Sequence, residues 1–86
     1  MTYTRKNQGV CSHTTTVTLQ NGVIQEITVK DGCHGNLQGI CRLLEGQNAA
    51  EAISRLQGVT CGRKATSCPD QIALCIAEAL AKEAQA

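Results

Sequence analysis

The chain has 86 residues, eight Lys or Arg against seven Asp or Glu, six Cys and a single aromatic residue, Tyr3. Interspersed charge without aromatics argues against nucleic acid as a partner, because a phosphate backbone needs clustered positive charge and single strands need stacking platforms. No apolar run approaches the roughly 20 residues of a membrane span.

From the N-terminus, residues 1–7 carry no apolar signal segment after their charges, so the expected compartment is the cytoplasm. Cys11 to Leu19 alternates as a strand, with Cys11, His13, Thr15, Val17 and Leu19 on one face and Ser12, Thr14, Thr16 and Thr18 on the other. Val23 to Val29 reads as a second strand, and Asn21-Gly22 between them is a hairpin signal. A three-residue loop, Gln20-Asn21-Gly22, keeps the apolar residues together by placing Leu19 opposite Val23, Thr15 opposite Ile27 and His13 opposite Val29. That register puts Cys11 opposite Asp31 and brings Cys33 to the same end of the hairpin.

Asn36 then reads as the cap of a helix with Leu37, Ile40, Cys41 and Leu44 at helical spacing, ended by Gly46. Asn48 reads as the cap of a second helix through Ala49, Ala52, Ile53 and Leu56, stopped by Gly58. Thr66-Ser67-Cys68-Pro69-Asp70 opens the last helix, with Ser67 and Asp70 as an approximate capping box and Pro69 in the first turn. Ile72, Cys75, Ile76, Ala79 and Leu80 form its buried stripe, and the tail from Ala81 to Ala86 is expected to fray. The sum is a single α+β domain over residues 1–86, an N-terminal β-hairpin or small antiparallel sheet followed by three helices on one face.

Without Phe or Trp, the core must come from Val, Ile, Leu and Ala, and a domain this small is close to needing a staple: a metal, disulfides or a partner subunit. The cysteines divide accordingly. Cys41 and Cys75 share stripes with Leu and Ile, where a thiol behaves as a small hydrophobe. Cys11, Cys33, Cys61 and Cys68 fall at turns and element ends, and four thiols are the complement of a closed zinc site. A reduced cytoplasmic setting favours metal or redox chemistry over disulfides. Helix N-terminal N–H groups stabilise a thiolate at Cys68, which suits a zinc ligand and a redox nucleophile equally. The spacings of 21, 27 and 6 residues between successive members match no familiar finger, so redox and merely structural thiols stay open. His13 and His34 are alternative ligands. Gly32-Cys33-His34-Gly35-Asn36 also has the look of an anion-cradling turn, with Arg63-Lys64 as added charge, although plain turn chemistry explains the same residues. No catalytic triad, phosphate-binding loop or dinucleotide fingerprint is present.

Thr66-Ser67-Cys68-Pro69-Asp70, together with Gly32-Cys33-His34-Gly35-Asn36-Leu37 and Leu56-Gln57-Gly58-Val59-Thr60-Cys61-Gly62, resembles the TSCPD domain family, named for that pentapeptide, from about Val10 to Leu80. The family's domain also occurs at the C-terminus of vitamin B12-dependent ribonucleotide reductases, and its small members are often labelled ribonucleoside-diphosphate reductase. The resemblance implies an accessory or electron-delivery role beside such a reductase or another redox enzyme in DNA precursor synthesis. These 86 residues cannot themselves enclose a radical generator, a nucleotide pocket and a catalytic cysteine trio. Carried over by motif, Cys33, Cys61 and Cys68 are the thiols of interest, and Cys11 joins them by hairpin geometry. The expectation is a zinc-binding accessory module, with an iron–sulfur cluster as the other group four thiolates could hold. Its rivals are a thiol redox protein, Cys68 attacking and Cys61 or Cys33 resolving, and a homodimer with inert thiols.

Overall fold

The structure, a computed structural model, describes residues 1–10, 12–31, 34–59 and 66–85, and for His34 the backbone alone. Strands β1 (Thr2–Lys6), β2 (Ser12–Gln20) and β3 (Val23–Asp31) form an antiparallel sheet in the order β1-β2-β3. Helices α1 (His34–Leu44), α2 (Ala49–Leu56) and α3 (Cys68–Gln85) follow. Helix α3 lies on β1 and β2, α1 on β3, and α2 against α3. This is the α+β architecture expected, with β1 as an addition that the short Thr2–Lys6 segment did not announce.

The hairpin register differs from the expected one, and the reason is local. Asn21 (φ 53°) and Gly22 (φ 76°) are both left-handed, the signature of a two-residue type I′ turn. Gln20 therefore pairs Val23, and Leu19 pairs Ile24. The pairing then shifts between Thr18 and Leu19, leaving Gln25 as an extra residue, so that Val17 meets Ile27 rather than Glu26. The apolar set stays on one face through a bulge instead of a longer loop. A second shift between Ser12 and Thr14 leaves His13 unpaired and sets Ser12, not Cys11, opposite Asp31. His13 accordingly turns to solvent and Ser12 turns inward.

Val17, Leu19, Ile24, Ile27, Leu37, Leu44, Ile72 and Ile76 fill the core, with Cys41 and Cys75 buried among them. Small residues let α3 approach the sheet closely, for Ala73 and Ala79 are fully buried. Two helix ends depart from expectation. Asn36 is exposed in the first turn of α1 and does not cap it. The helix starts two residues earlier, since an unfavourable propensity of tenths of a kcal/mol is outweighed by a turn that seats Leu37 in the core. The tail is helical, with α3 continuing to Gln85 and Glu83 Oε1 accepting from the Gly22 N–H at 2.8 Å. Asn48 caps α2 as read, its side chain accepting from Glu51 N.

Candidate functional site

One end of the molecule gathers the start of α3, the β1–β2 connection, the start of β2 and the end of α2. The pentapeptide 66–70 is the joint between them. Ser67 is the N-cap of α3, its Oγ accepting from Asp70 N at 3.2 Å and donating to Val59 O at 2.6 Å. Asp70 does not complete a reciprocal capping box. Its carboxylate accepts instead from the Gly58 N–H at 2.7 Å and the Thr66 hydroxyl at 2.5 Å. Two unsatisfied backbone and hydroxyl donors outside the helix compete better for a short Asp side chain than the cap residue's own N–H does. These two donors hold the Asp70 carboxyl below the usual carboxylate range, the Thr66 hydroxyl contributing most. Pro69 occupies the first turn, where no N–H is missed.

Gln71, one residue on, is 5 % exposed. Its Nε2 donates to Thr66 Oγ1 at 2.9 Å, while its Oε1 accepts from Arg5 Nη1 at 2.7 Å and Gln8 N at 3.1 Å. Gly9, left-handed at φ 72°, passes so close to Thr66 that a Cβ there would meet Cγ2 at 3.3 Å.

Beside this joint lies Cys68, half-buried at the first position of α3. The Ser12 hydroxyl is 3.2 Å from its sulfur. Behind Ser12, Asn7 Nδ2 donates to Ser12 Oγ at 2.8 Å, and the Thr15 hydroxyl donates to Asn7 Oδ1 at 2.9 Å. The chain Thr15–Asn7–Ser12–Cys68 is a line of polar groups leading from the sheet's buried face to the helix end.

The other thiols part into two groups. Cys75 is fully buried with its Sγ near the Thr15 carbonyl at 3.4 Å, and burial first, then Glu78, pushes its thiol up to about 11. Burial likewise raises the Cys41 thiol. Neither is a plausible ligand, because a thiol that resists ionisation binds metal poorly. Cys11, Cys33 and Cys61 lie outside the described residues, as do the Arg63-Lys64 pair, Gly32 of the anion-cradling turn and the side chain of His34. His13 is exposed and hydrogen-bonds Asp31 through Nδ1 and Oδ2 at 2.5 Å, with Asp31 left-handed at φ 67°. Among the described residues no three of His, Cys, Asp and Glu cluster as a metal cage.

The donor chemistry that is described nevertheless fits a thiolate ligand. The sulfur stands at a helix N-terminus, where free N–H groups favour a negative group, with the Ser12 hydroxyl within hydrogen-bond distance. Asn7, Ser12, Thr15 and Gln71 were not singled out by sequence reasoning. The bulge at His13 is why Ser12 escaped, since strict alternation put it on the wrong face.

Among the described residues no helix is long and apolar enough to cross a membrane. The family model of the TSCPD domain, of a kind associated with ribonucleotide reductase, matches residues 1–80. No curated protein and no solved structure shows a significant match.

Proposed function

The chain belongs to the TSCPD domain family, and on that premise we propose that it is a zinc-binding accessory module serving ribonucleotide reduction. Cys11, Cys33, Cys61 and Cys68 would hold the metal as four thiolates, which would supply a cross-link between elements rather than a reaction centre. The observation that carries this reading is the convergence of their chain neighbours. Ser12, adjacent to Cys11, touches the Cys68 sulfur. Asp31, two residues before Cys33, pairs with Ser12 in the sheet. Val59, two residues before Cys61, accepts from Ser67, adjacent to Cys68. The described chain neighbours of these thiols thus meet near the start of α3, and that convergence supports the reading. A core without Phe or Trp gives such a cross-link a purpose.

The test is metal content per chain on protein purified without oxygen, with a thiol count and a visible spectrum. One zinc, four protected thiols and loss of fold on chelation are expected, since the metal's affinity is then folding free energy. Visible charge-transfer bands with iron in place of zinc would make the group an iron–sulfur cluster. A folded, metal-free chain with six titratable thiols would overturn the reading. In that case fast alkylation of Cys68, with a reversible disulfide to Cys61 or Cys33, would point to thiol redox transfer. The accessory role is tested by co-sedimentation with a ribonucleotide reductase.

A further inference from the structure

We infer that the outer edge of β1 is an interface for a second copy of this chain, the two β1 strands pairing antiparallel about Thr4 to join two sheets into one. This goes beyond the metal-binding reading and uses none of the thiols.

The sheet has two edges, β1 and β3, and the chain treats them differently. The start of β3 is closed by the chain's own backbone. The Ile24 N–H donates to Gln47 O at 2.9 Å, the Gly46 N–H donates to Ile24 O at 2.7 Å, and Val23 bridges Asn48. Strand β1 has no such cover among the described residues. Its bonds to β2 run through alternate residues, from Met1 exchanging bonds with Leu19 at 2.8 and 2.9 Å to the Asn7 N–H donating to His13 O at 2.7 Å. Tyr3 and Arg5 belong to the same inward-bonding set, which leaves the N–H and C=O groups of Thr2, Thr4 and Lys6 pointing out of the sheet. Among the described residues only Arg5 Nη1 reaches any of them, 3.4 Å from Lys6 O. All three residues are exposed.

Proteins blunt such edges with Pro, bulges or inward charge, because an open edge pairs with other strands. Strand β1 has no Pro and no register shift. Its inward charge, Arg5, is neutralised in place, since Glu78 accepts from Arg5 Nε and from the Tyr3 hydroxyl, both at 2.6 Å. These bonds hold β1 against α3, and an edge already ordered gives up little freedom on pairing.

The register points to a second copy as the occupant. The outward groups belong to even-numbered residues, so a β1 partner must match even with even. With the axis at Thr4, Thr4 faces Thr4 and Lys6 faces Thr2, which pairs all three and brings no like charges together. On the inner face Arg5 of one copy then lies opposite Tyr3 of the other, a guanidinium beside an aromatic ring. Sliding by two residues one way sets the two Arg5 side chains against each other, and the other way leaves Lys6 without a partner. A join of five residues a side is small, so the expected dimer is weak, with a Kd of roughly 1–100 µM.

The test is sedimentation equilibrium on protein purified without oxygen, over concentrations spanning that range, with amide exchange on the same samples. The mass should rise from 9.1 kDa toward twice that value. Exchange at Thr2, Thr4 and Lys6 should slow in step, because their N–H groups are bonded only in the dimer. Thr4→Pro removes an outward N–H and no bond to β2, a substitution edge strands tolerate. It should raise the Kd at least about 30-fold, the worth of the two backbone bonds that Thr4 makes across the axis. Should that variant fail to fold, Thr2→Lys sets like charges opposite Lys6 at both ends of the join. It should raise the Kd about 2- to 30-fold at low salt, and adding Lys6→Glu should restore association. A monomer throughout overturns the inference. So does a dimer that folded Thr4→Pro leaves intact, or one whose Thr4 amide stays unprotected. Protection of the β1 amides that appears only when another protein is added would assign the edge to that protein and also overturn it. Metal content, measured on the same samples, reports on the zinc reading separately.

Discussion

Asp70 is the residue of the pentapeptide whose removal the structure allows to be costed. Its carboxylate receives two hydrogen bonds, from the Gly58 N–H and from the Thr66 hydroxyl, and it stands in the first turn of α3, where negative charge is favoured. Bonds to a charged acceptor contribute about 1.5–3 kcal/mol each and neutral ones about 0.5–1.5. The side chain is partly exposed, which places both at the low end. Asp70→Ala loses both bonds and the charge, for an expected loss of about 3–4 kcal/mol. Asp70→Asn can keep its carbonyl toward Gly58, whose N–H cannot turn, and direct its NH2 to Thr66 Oγ1, whose proton can. The expected loss is then about 1–2 kcal/mol. In a domain this size each kcal/mol is worth roughly 4–8 °C of Tm. Urea unfolding followed by circular dichroism, with metal content matched between samples, measures both. The carboxyl is lowered on folding, so its contribution is complete above the ordinary Asp value of 3.8 and fades as pH falls through the folded value. The gap between wild type and Asp70→Asn should close in acid. Two variants within about 0.5 kcal/mol of wild type, the level of an inert surface change, or Asp70→Asn costing more than Asp70→Ala, would refute the joint as described.

Iodoacetamide at mildly alkaline pH should leave Cys41 and Cys75 unmodified in the folded protein and reach them only in denaturant. Both are buried with raised thiol values; rapid native labelling of Cys75 would contradict the packing. Gly22→Ala should cost about 1 kcal/mol by urea unfolding, because only the left-handed backbone opposes it and an added Cβ meets nothing within 4 Å. Glu83→Ala removes the carboxylate that takes the Gly22 N–H and should cost about 1 kcal/mol, with hydrogen exchange speeding in the last turn of α3.

Periodicity carried much of this fold, and its failures have definite causes. The stripes Leu37-Cys41-Leu44 and Ile72-Cys75-Ile76-Ala79 are buried as read, because an apolar face at helical spacing has nowhere else to go. The Asn21-Gly22 turn was legible; the bulges were not. Without a bulge a two-residue loop forces Val17 onto Glu26, and nothing in the local sequence says that Gln25 will be left over. Bulge positions are settled by how the sheet meets the helices, a tertiary matter. Asn36 misled for a related reason, since a weak local preference gave way to the seating of Leu37. Strand β1 was invisible because Thr2 to Lys6 carries one aromatic and no aliphatic side chain, and its pairing is decided by β2.

The candidate site divides along the same line. Thiols can be counted in a sequence, and a helix-capping pentapeptide can be recognised, but a buried hydrogen-bond chain exists only once the register is known. Shifting β2 by one residue at His13 exchanges an imidazole for a hydroxyl at the inner face, and with it the chemistry offered to Cys68. The joint and the relay also share a logic. Thr66, Ser67 and Asp70 tie the start of α3 to the end of α2, Gln71 ties it to the β1–β2 connection, and Ser12 ties its sulfur to β2. Apart from the contact to the Cys68 sulfur itself, the start of α3 is thus held from several sides by bonds that involve no thiol. These bonds orient the Cys68 side chain in the folded chain. On the zinc reading proposed above, chelation unfolds the domain as a whole, so exchange protection at Gln71 and Ile72 should be lost together with that of the core. Protection that survives at these two positions alone would show that the polar bonds order this helix end without metal.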